Sequence, residues 1–330
     1  MKTIRWGVIG CGDVAEVKSG PGFYKAGNSQ LVAVMRRNGA LAADFARRHN
    51  VPRWHVDADA IIRANDIDAV YIATHTDSHH EYTLRCAAAG KPVYVEKPMA
   101  LHLRQCIEMV EACEANKVPL WVGYYRRELP RFLAVRDLVA EGAIGAVRMV
   151  IVRQFQRALT SADLENRAVA WRADESLGGG LFFEGVGHTL DILDFILGPI
   201  AEVHAFADNQ VGVSAAEDVV VANLRFASGV YGSGVWCYSS DTEEEYNEII
   251  GSRGTVRFST TRPVPIRVTT AGHVDDIAIG DPPHVHQPLI QSIVDELNGE
   301  GRCPSSGESA LRTARVLDAM VRDFRQRRFS

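Results

Sequence analysis

The first 123 residues alternate short apolar runs with amphipathic stretches. Residues 4–9, 31–35, 69–73, 93–95 and 118–123 are continuous runs rich in Val, Ile and Ala. Continuous rather than alternating runs predict strands of a parallel sheet covered on both faces. Between them, residues 40–49, 57–64 and 81–89 read as helices, as does the stretch carrying Leu103, Ile107, Val110 and Cys113. Leu41 and Phe45 are the expected inward residues of the first of these helices. Strand and helix in regular alternation predict an α/β doubly wound parallel sheet.

After residue 124 the pattern becomes strand-rich. Residues 148–156, 202–208, 219–226, 230–238, 248–251 and 255–259 read as strands, with Ala227-Ser228-Gly229 and Ser252-Arg253-Gly254 as hairpin turns. Residues 288–297 and 308–324 read as helices, the second with Leu311, Ala314, Leu317 and Val321 as its apolar stripe. This predicts an α+β domain over residues 124–330, built on an open, mostly antiparallel sheet. Its last helix is free to pack back on a first domain of residues 1–123. An open sheet has a face and edges to cover, so a homodimer or homotetramer is expected.

The run 4–9 feeds into Gly10-Cys11-Gly12-Asp13-Val14-Ala15. This is the Gly-x-Gly-x-x-Gly/Ala fingerprint of a Rossmann domain, placed between a strand and a helix. Gly10 allows the tight turn, Gly12 the approach of a pyrophosphate, and Ala15 close helix–strand packing. The helix is soon interrupted by Ser19-Gly20-Pro21-Gly22, read as a loop over the nicotinamide end of the site. The second strand ends in Arg36-Arg37-Asn38, where an acidic residue would bind the ribose 2′-hydroxyl of NAD. Two guanidiniums in place of a carboxylate suit a 2′-phosphate and predict NADP(H) over NAD(H). The third strand ends in a polar loop, Thr74-His75-Thr76-Asp77-Ser78-His79, on the same edge as the glycine turn. The fourth ends in Glu96-Lys97-Pro98, which delivers a lysine to the carboxyl edge where α/β sheets bind ligands. Pro98 restricts Lys97 to extended geometry, and a cis bond there would aim the lysine sharply.

In the second half, Glu184 and His188 are four residues apart and share a helix face, with Asp191 three further on. An imidazole beside a carboxylate is oriented and stays basic enough to take a proton. The glycine run before this helix implies close approach of its backbone to something. Asp191 and Asp194 read as structural or orienting groups, Trp171 as packing, and Arg172 as an open case.

A formal net charge of -5 and the lack of a long basic run argue against nucleic acid as a partner. The N-terminus reads as a first strand rather than a signal peptide or membrane span. The six cysteines form no Cys-x-x-Cys pair and no metal-like spacing. Reduced, buried thiols in a cytoplasmic protein without a metal site are the expectation.

Taken together, the glycine turn, residues 74–79 and Glu96-Lys97-Pro98 resemble the glucose–fructose oxidoreductase / inositol dehydrogenase family, often called Gfo/Idh/MocA. Two later segments strengthen the resemblance. Tyr124-Tyr125-Arg126-Arg127-Glu128-Leu129-Pro130 is similar to the segment that opens the family's second domain. Trp171-Arg172 and the run from Gly178-Gly179-Gly180 through Glu184 and His188 to Asp191 are similar to its substrate-domain helix. The match runs in order along nearly the whole chain. It implies a dehydrogenase or reductase that passes hydride between a nicotinamide and a secondary alcohol or carbonyl of a sugar, cyclitol or related polyol. It further implies Lys97, His188 and Glu184 as catalytic residues. Arg126 and Arg172 join them at the substrate, while Thr74, His75, His79, Glu96 and Lys97 join the glycine turn, Arg36 and Arg37 at the cofactor. The family helix usually shows Asp-x-x-x-His; Glu184 departs from it with a longer side chain, and Gly185 and Gly187 flank Val186 where the family glycine is displaced. Two other readings compete: a dinucleotide-binding regulator without catalysis, and a dihydrodiol-type or enone-reducing enzyme with Phe182, Phe183 and Trp171 around a less polar pocket.

Overall fold

The computed structural model describes residues 1–177 and 179–328, leaving aside the side chains of residues 167 and 168. Gly178, the first glycine of the run, lies outside the described residues. The chain divides into two compact units, Met1–Leu129 with Pro282–Leu311, and Pro130–Asp281 with Arg312–Ser330.

The first unit holds β1 (Ile4–Ile9), β2 (Ser29–Met35), β3 (Arg53–His55), β4 (Ala69–Ile72), β5 (Val93–Val95) and β6 (Leu120–Val122). They form one parallel sheet in the order β3-β2-β1-β4-β5-β6, the Rossmann arrangement. The four residues of β4 and the three each of β5 and β6 are buried, as the continuous apolar runs require. The three-residue β3 escaped the sequence reading because its residues are only partly buried and carry two charge-capable side chains.

Three local expectations are corrected. Residues 15–25 contain no loop: a π-helical turn, Ala15–Ser19, runs into the helix Gly20–Lys25. The Gly-Pro-Gly triplet starts that helix, with Pro21 in its first turn, where a missing N–H costs nothing. Gly20 is dictated by packing, since a Cβ there would lie 2.0 Å from Ala15 O. In the helix Gly39–Arg48, Phe45 is buried as expected but Leu41 is 43% exposed. In the helix Leu103–Ala115 the buried line runs through Cys106, Met109 and Cys113, one step round from the expected stripe.

The second unit is built on an eight-stranded sheet. Its strands are β7 (Val147–Phe155), β8 (Ile200–Asp208), β9 (Val219–Phe226), β10 (Tyr231–Cys237), β11 (Glu244–Gly251), β12 (Gly254–Phe258), β13 (Ile266–Thr270) and β14 (His273–Ile277). The order is β14-β13-β12-β11-β7-β10-β9-β8, antiparallel except for β7 beside β10. Burial alternates strictly in β9, with Val220, Ala222, Leu224 and Phe226 inward, as a sheet with one covered face demands. The hairpin of β13 and β14 was missed because β14 is exposed almost throughout and offers no apolar alternation. The helix Leu181–Leu197 contributes Phe182, Val186, Leu190 and Leu193 to the core of this unit.

Candidate active site

In the first unit, β1, β4 and β5 deliver three segments to one edge of the sheet. Ala73 N donates to Ile9 O at 2.8 Å and Glu96 N to Ile72 O at 2.9 Å. The glycine turn, the Thr74 loop and Glu96-Lys97 therefore leave adjacent strands level with one another. The strand order reverses between β1 and β4, the position where open α/β sheets form a ligand crevice.

The turn itself fits a dinucleotide. Gly10 has φ +96°, and a Cβ there would lie 2.7 Å from Ala73 O, so only glycine makes this bend. A Cβ on Gly12, by contrast, would meet nothing within 4 Å. That open space over the backbone is what an approaching diphosphate needs. Cys11 is buried and its thiol is pushed up to about 11 by desolvation, so it packs rather than reacts. Asp13 is exposed, Val14 half-buried and Ala15 buried. At the end of β2, Arg36 Nη1 donates to Cys11 O at 3.4 Å, folding the guanidinium back toward the turn, while Arg37 is exposed. Asn38 caps the next helix by accepting from Leu41 N at 3.2 Å.

In the loop after β4, His75 is exposed and Thr74 Oγ1 accepts from Ser78 Oγ at 2.8 Å. His79 is buried, with Nδ1 2.9 Å from Pro98 O and Nε2 3.1 Å from Thr74 O. Its imidazole ties the loop to the lysine segment, and burial holds its pKa below the ordinary value.

The Lys97–Pro98 bond is cis. Glu96 faces inward: Tyr71 Oη donates to Glu96 Oε1 at 2.5 Å, and Lys97 N to Oε2 at 3.2 Å. Gly123 is needed beside it, since a Cβ there would lie 3.0 Å from the carboxylate. His286 Nδ1 sits 3.5 Å from Glu96 Oε1 and 2.7 Å from Tyr94 Oη. Burial raises the Glu96 pKa, against the pull of Tyr71 and Lys97. Burial depresses the His286 pKa, aided by the charges of Lys18, Arg126 and Lys97. Burial thus opposes a charge on either of these neighbouring groups. Arg126 is buried to 8% exposure, with its guanidinium 5.0 Å from the Tyr125 ring centroid. The sequence reading missed His286, Tyr71, Tyr94 and Lys18. His286 arrives from nearly two hundred residues downstream, and its backbone N–H donates to Lys18 O at 3.2 Å. The proline pair ahead of it in Pro282-Pro283-His284-Val285-His286 is the only local hint of a fixed segment.

In the second unit, Glu184 and His188 follow one another by a turn of the helix Leu181–Leu197. Glu184 is half-buried and His188 is 7% exposed. Arg172 Nε lies 4.0 Å from Glu184 Oε1, and its guanidinium sits 5.5 Å from the Trp171 ring centroid. Asp194 receives Arg312 through Nε and Nη2 at 2.9 and 2.7 Å, and Asp191 lies 3.5 Å from Thr313 Oγ1. Both aspartates thus anchor the helix within its unit. The close approach implied by the glycine run is internal: Cβ atoms on Gly179 and Gly180 would meet the Phe183 ring at 2.6 Å and Ala216 Cβ at 2.3 Å. Phe182 packs edge-on against Trp236, and Phe183 lies under the Arg325 guanidinium, so both rings belong to the core. Among the described residues no group of three or more His, Cys, Asp or Glu could hold a metal ion.

Comparison with known proteins agrees with this arrangement. Residues 4–124 match the family model described as "Oxidoreductase family, NAD-binding Rossmann fold", and residues 132–257 match the "GFO/IDH/MocA C-terminal domain". The chain is 37% identical over 318 residues to Oxidoreductase P35 of Formosa agariphila, covering 96% of this chain and 97% of that one. It is 30% identical to the inositol 2-dehydrogenase of Rhizobium meliloti, covering 99% and 98%. An oxidoreductase from Agrobacterium radiobacter, solved with NAD+, L-tartaric acid and magnesium, superimposes with a TM-score of 0.85. It is 23% identical and covers 97% of this chain and 96% of that one, a likeness that shows the fold.

Proposed function

The chain belongs to the Gfo/Idh/MocA oxidoreductase family, and on that premise we propose that it is an NADP(H)-preferring dehydrogenase or reductase of a sugar, cyclitol or related polyol. Nicotinamide-dinucleotide binding and oxidoreductase chemistry follow from membership; the preference for NADP(H) and the residue roles are our reading. The observation that carries it is the shared edge of the first sheet, where the glycine turn and Lys97 leave level strands. We assign the dinucleotide to residues 1–123 and the substrate and subunit contacts to residues 124–330.

When bound, the nicotinamide supplies hydride transfer at its C4. Gly10 to Ala15 hold the diphosphate, Arg36 and Arg37 the 2′-phosphate, and Thr74 and His75 flank the same edge. His79 and Glu96 act from within, one bracing the loop and the other holding the lysine backbone. Lys97 polarises the substrate oxygen. His188 takes the proton from that oxygen in oxidation and returns it in reduction, with Glu184 orienting the imidazole. Arg126 and Arg172 are the remaining cations offered to substrate. Retention of this proton-transfer set favours an enzyme over a sensor. The burial of Phe182 and Phe183 takes two of the three aromatics from the wall that a dihydrodiol-type site would use and leaves Trp171.

The outward face of the second sheet exposes Phe206 at 85%, Tyr231 at 63% and Val221 at 39%. A second copy of the chain covers this face, giving a homodimer or homotetramer. No helix among the described residues is long and apolar enough to cross a membrane. Five of the cysteines are buried, which suits a reducing cytoplasm.

Titration with NADPH and NADH, followed by turnover of polyol and sugar carbonyl candidates, tests the reading. Tight NADPH and weak NADH binding supports it. Preference for NADH removes the role of the arginines, and no binding of either removes the function.

A further inference from the structure

A pocket in the second unit is not accounted for by the residues already assigned. It is lined by Leu159, Leu181, Val211, Val213, Glu217 and Tyr238 among others, and measures about 360 Å³ with its open mouth included. Leu181 opens the helix that carries Glu184, and Tyr238 Oη lies 3.4 Å from where a Cβ on Gly185 would sit. The pocket therefore shares a wall with the Glu184 turn.

Its polar groups divide sharply. Asp218 accepts from Gln210 N and Val211 N at 2.8 and 2.9 Å. Asn209 donates to Ser214 O and Ala216 O at 2.6 and 2.9 Å and accepts from Gly212 N at 2.8 Å. These bonds close the loop 209–218 on itself and make it a formed wall. Glu217 and Tyr238 differ. Glu217 is 2% exposed; Oε1 takes Arg325 Nη2 at 3.3 Å, while Oε2 is buried with no hydrogen-bond partner among the described residues. Tyr238 is 4% exposed and its hydroxyl is likewise buried with no hydrogen-bond partner among the described residues. Burial, then the carboxylates of Glu184 and Glu217, keep the Tyr238 phenol protonated. Two such buried polar atoms on residues that line one pocket carry a desolvation cost that a matching ligand removes.

We propose that this pocket is the specificity subsite for the hydroxyl-bearing edge of the substrate, remote from the reacting carbon, with Glu217 and Tyr238 as its reading residues. The chemistry selects the class. A carboxylate oxygen and a phenol between aliphatic walls suit a neutral sugar or cyclitol, whose hydroxyls donate to Glu217 Oε2 and exchange a hydrogen bond with Tyr238 while its C–H faces meet Leu159, Leu181 and the valines. Two adjacent acids, Glu217 and Asp218, disfavour a phosphate or carboxylate there. A hydroxyl-poor ring would leave Glu217 and Tyr238 unpaired. This inference rests on the substrate class of the proposed function but not on its proton-transfer roles.

The test is ligand-observed NMR on the full chain with myo-inositol, D-glucose and 1,5-anhydro-D-glucitol, against trans-1,2-cyclohexanediol. At least one of the polyols is expected to bind, and to weaken about five- to tenfold in Tyr238→Phe and Glu217→Gln. Binding of the diol should be weak and unmoved by either variant. Tyr238→Phe keeps the ring that fills the wall, so it remains informative if Glu217→Gln fails to fold. Equal polyol affinity in wild type and Tyr238→Phe overturns the subsite, as does a diol bound as tightly as the polyols, or no polyol bound at all. Tyr238-dependent polyol binding without nicotinamide-coupled turnover leaves the subsite standing and defeats the proposed chemistry instead.

Discussion

The two units carry their functional groups in different ways. In the first, the edge of the parallel sheet sets out the glycine turn, the Thr74 loop and Lys97 from adjacent strands, so register alone aligns them. In the second, Glu184 and His188 sit on one helix whose placement depends on its packing inside the unit, including the Arg312–Asp194 pair. The first arrangement is strand-borne and set by sheet register; the second is set by how one helix packs. The first should therefore tolerate little change at its glycines, and the second little change at its anchors.

The largest effects separate chemistry from binding. Lys97→Met and His188→Ala should each lower turnover by about a hundred- to ten-thousandfold, and His188→Ala should leave dinucleotide affinity in place. Steady-state kinetics beside a dinucleotide titration checks this. Near-normal turnover in His188→Ala would move the proton-transfer role to Lys97 and leave the second unit with binding alone.

Next come changes confined to the first unit. Arg36→Asp should weaken NADPH binding by about ten- to a hundredfold and leave NADH little changed, because a charge-assisted pair becomes a repulsion. Unchanged NADPH affinity would mean that Arg36 only folds over Cys11. The glycines offer a finer contrast. Gly10→Ala must strain a φ of +96° and meet Ala73 O, so it should lower the melting temperature. Gly12→Ala has open space around its new Cβ, so it should fold normally and lose dinucleotide affinity. A normal melting temperature in Gly10→Ala would break this distinction.

What could be read in the chain follows the same division. The parallel sheet, the glycine turn and Lys97 were legible because continuous apolar runs and fixed spacings are local signals. Glu184 and His188 were legible as a helical pair. The pocket beside them was not, because Glu217 and Tyr238 meet only when β9 and β10 pair in register. The Ser19-Gly20-Pro21-Gly22 stretch misled for a related reason: glycine and proline signal a break locally, while packing against Ala15, Gln287 and Ile290 makes them a helix start. His286 was illegible because nothing near it in sequence names Glu96 as its neighbour.

That buried pair yields the smallest and most specific effect. His286 is kept neutral in the folded first unit by burial and by the charges of Lys18, Arg126 and Lys97. Below about pH 6.5 the unfolded chain takes up a proton that the folded unit refuses. The imidazole's share of stability is thus complete above that value and is lost as pH falls toward the depressed folded pKa. Glu96 has the opposite sign. Its raised pKa keeps a proton in the fold that the unfolded chain releases above about pH 4.3, so its share is present at lower pH and lost as pH rises. His286→Gln retains a partner for the Tyr94 hydroxyl and removes only the titration. Calorimetry between about pH 5 and 7 should show the wild type losing roughly 2–4 °C on the acid side, a slope that flattens in the variant. An unchanged slope in His286→Gln would place the acid sensitivity elsewhere and show that the His286 imidazole is not what titrates.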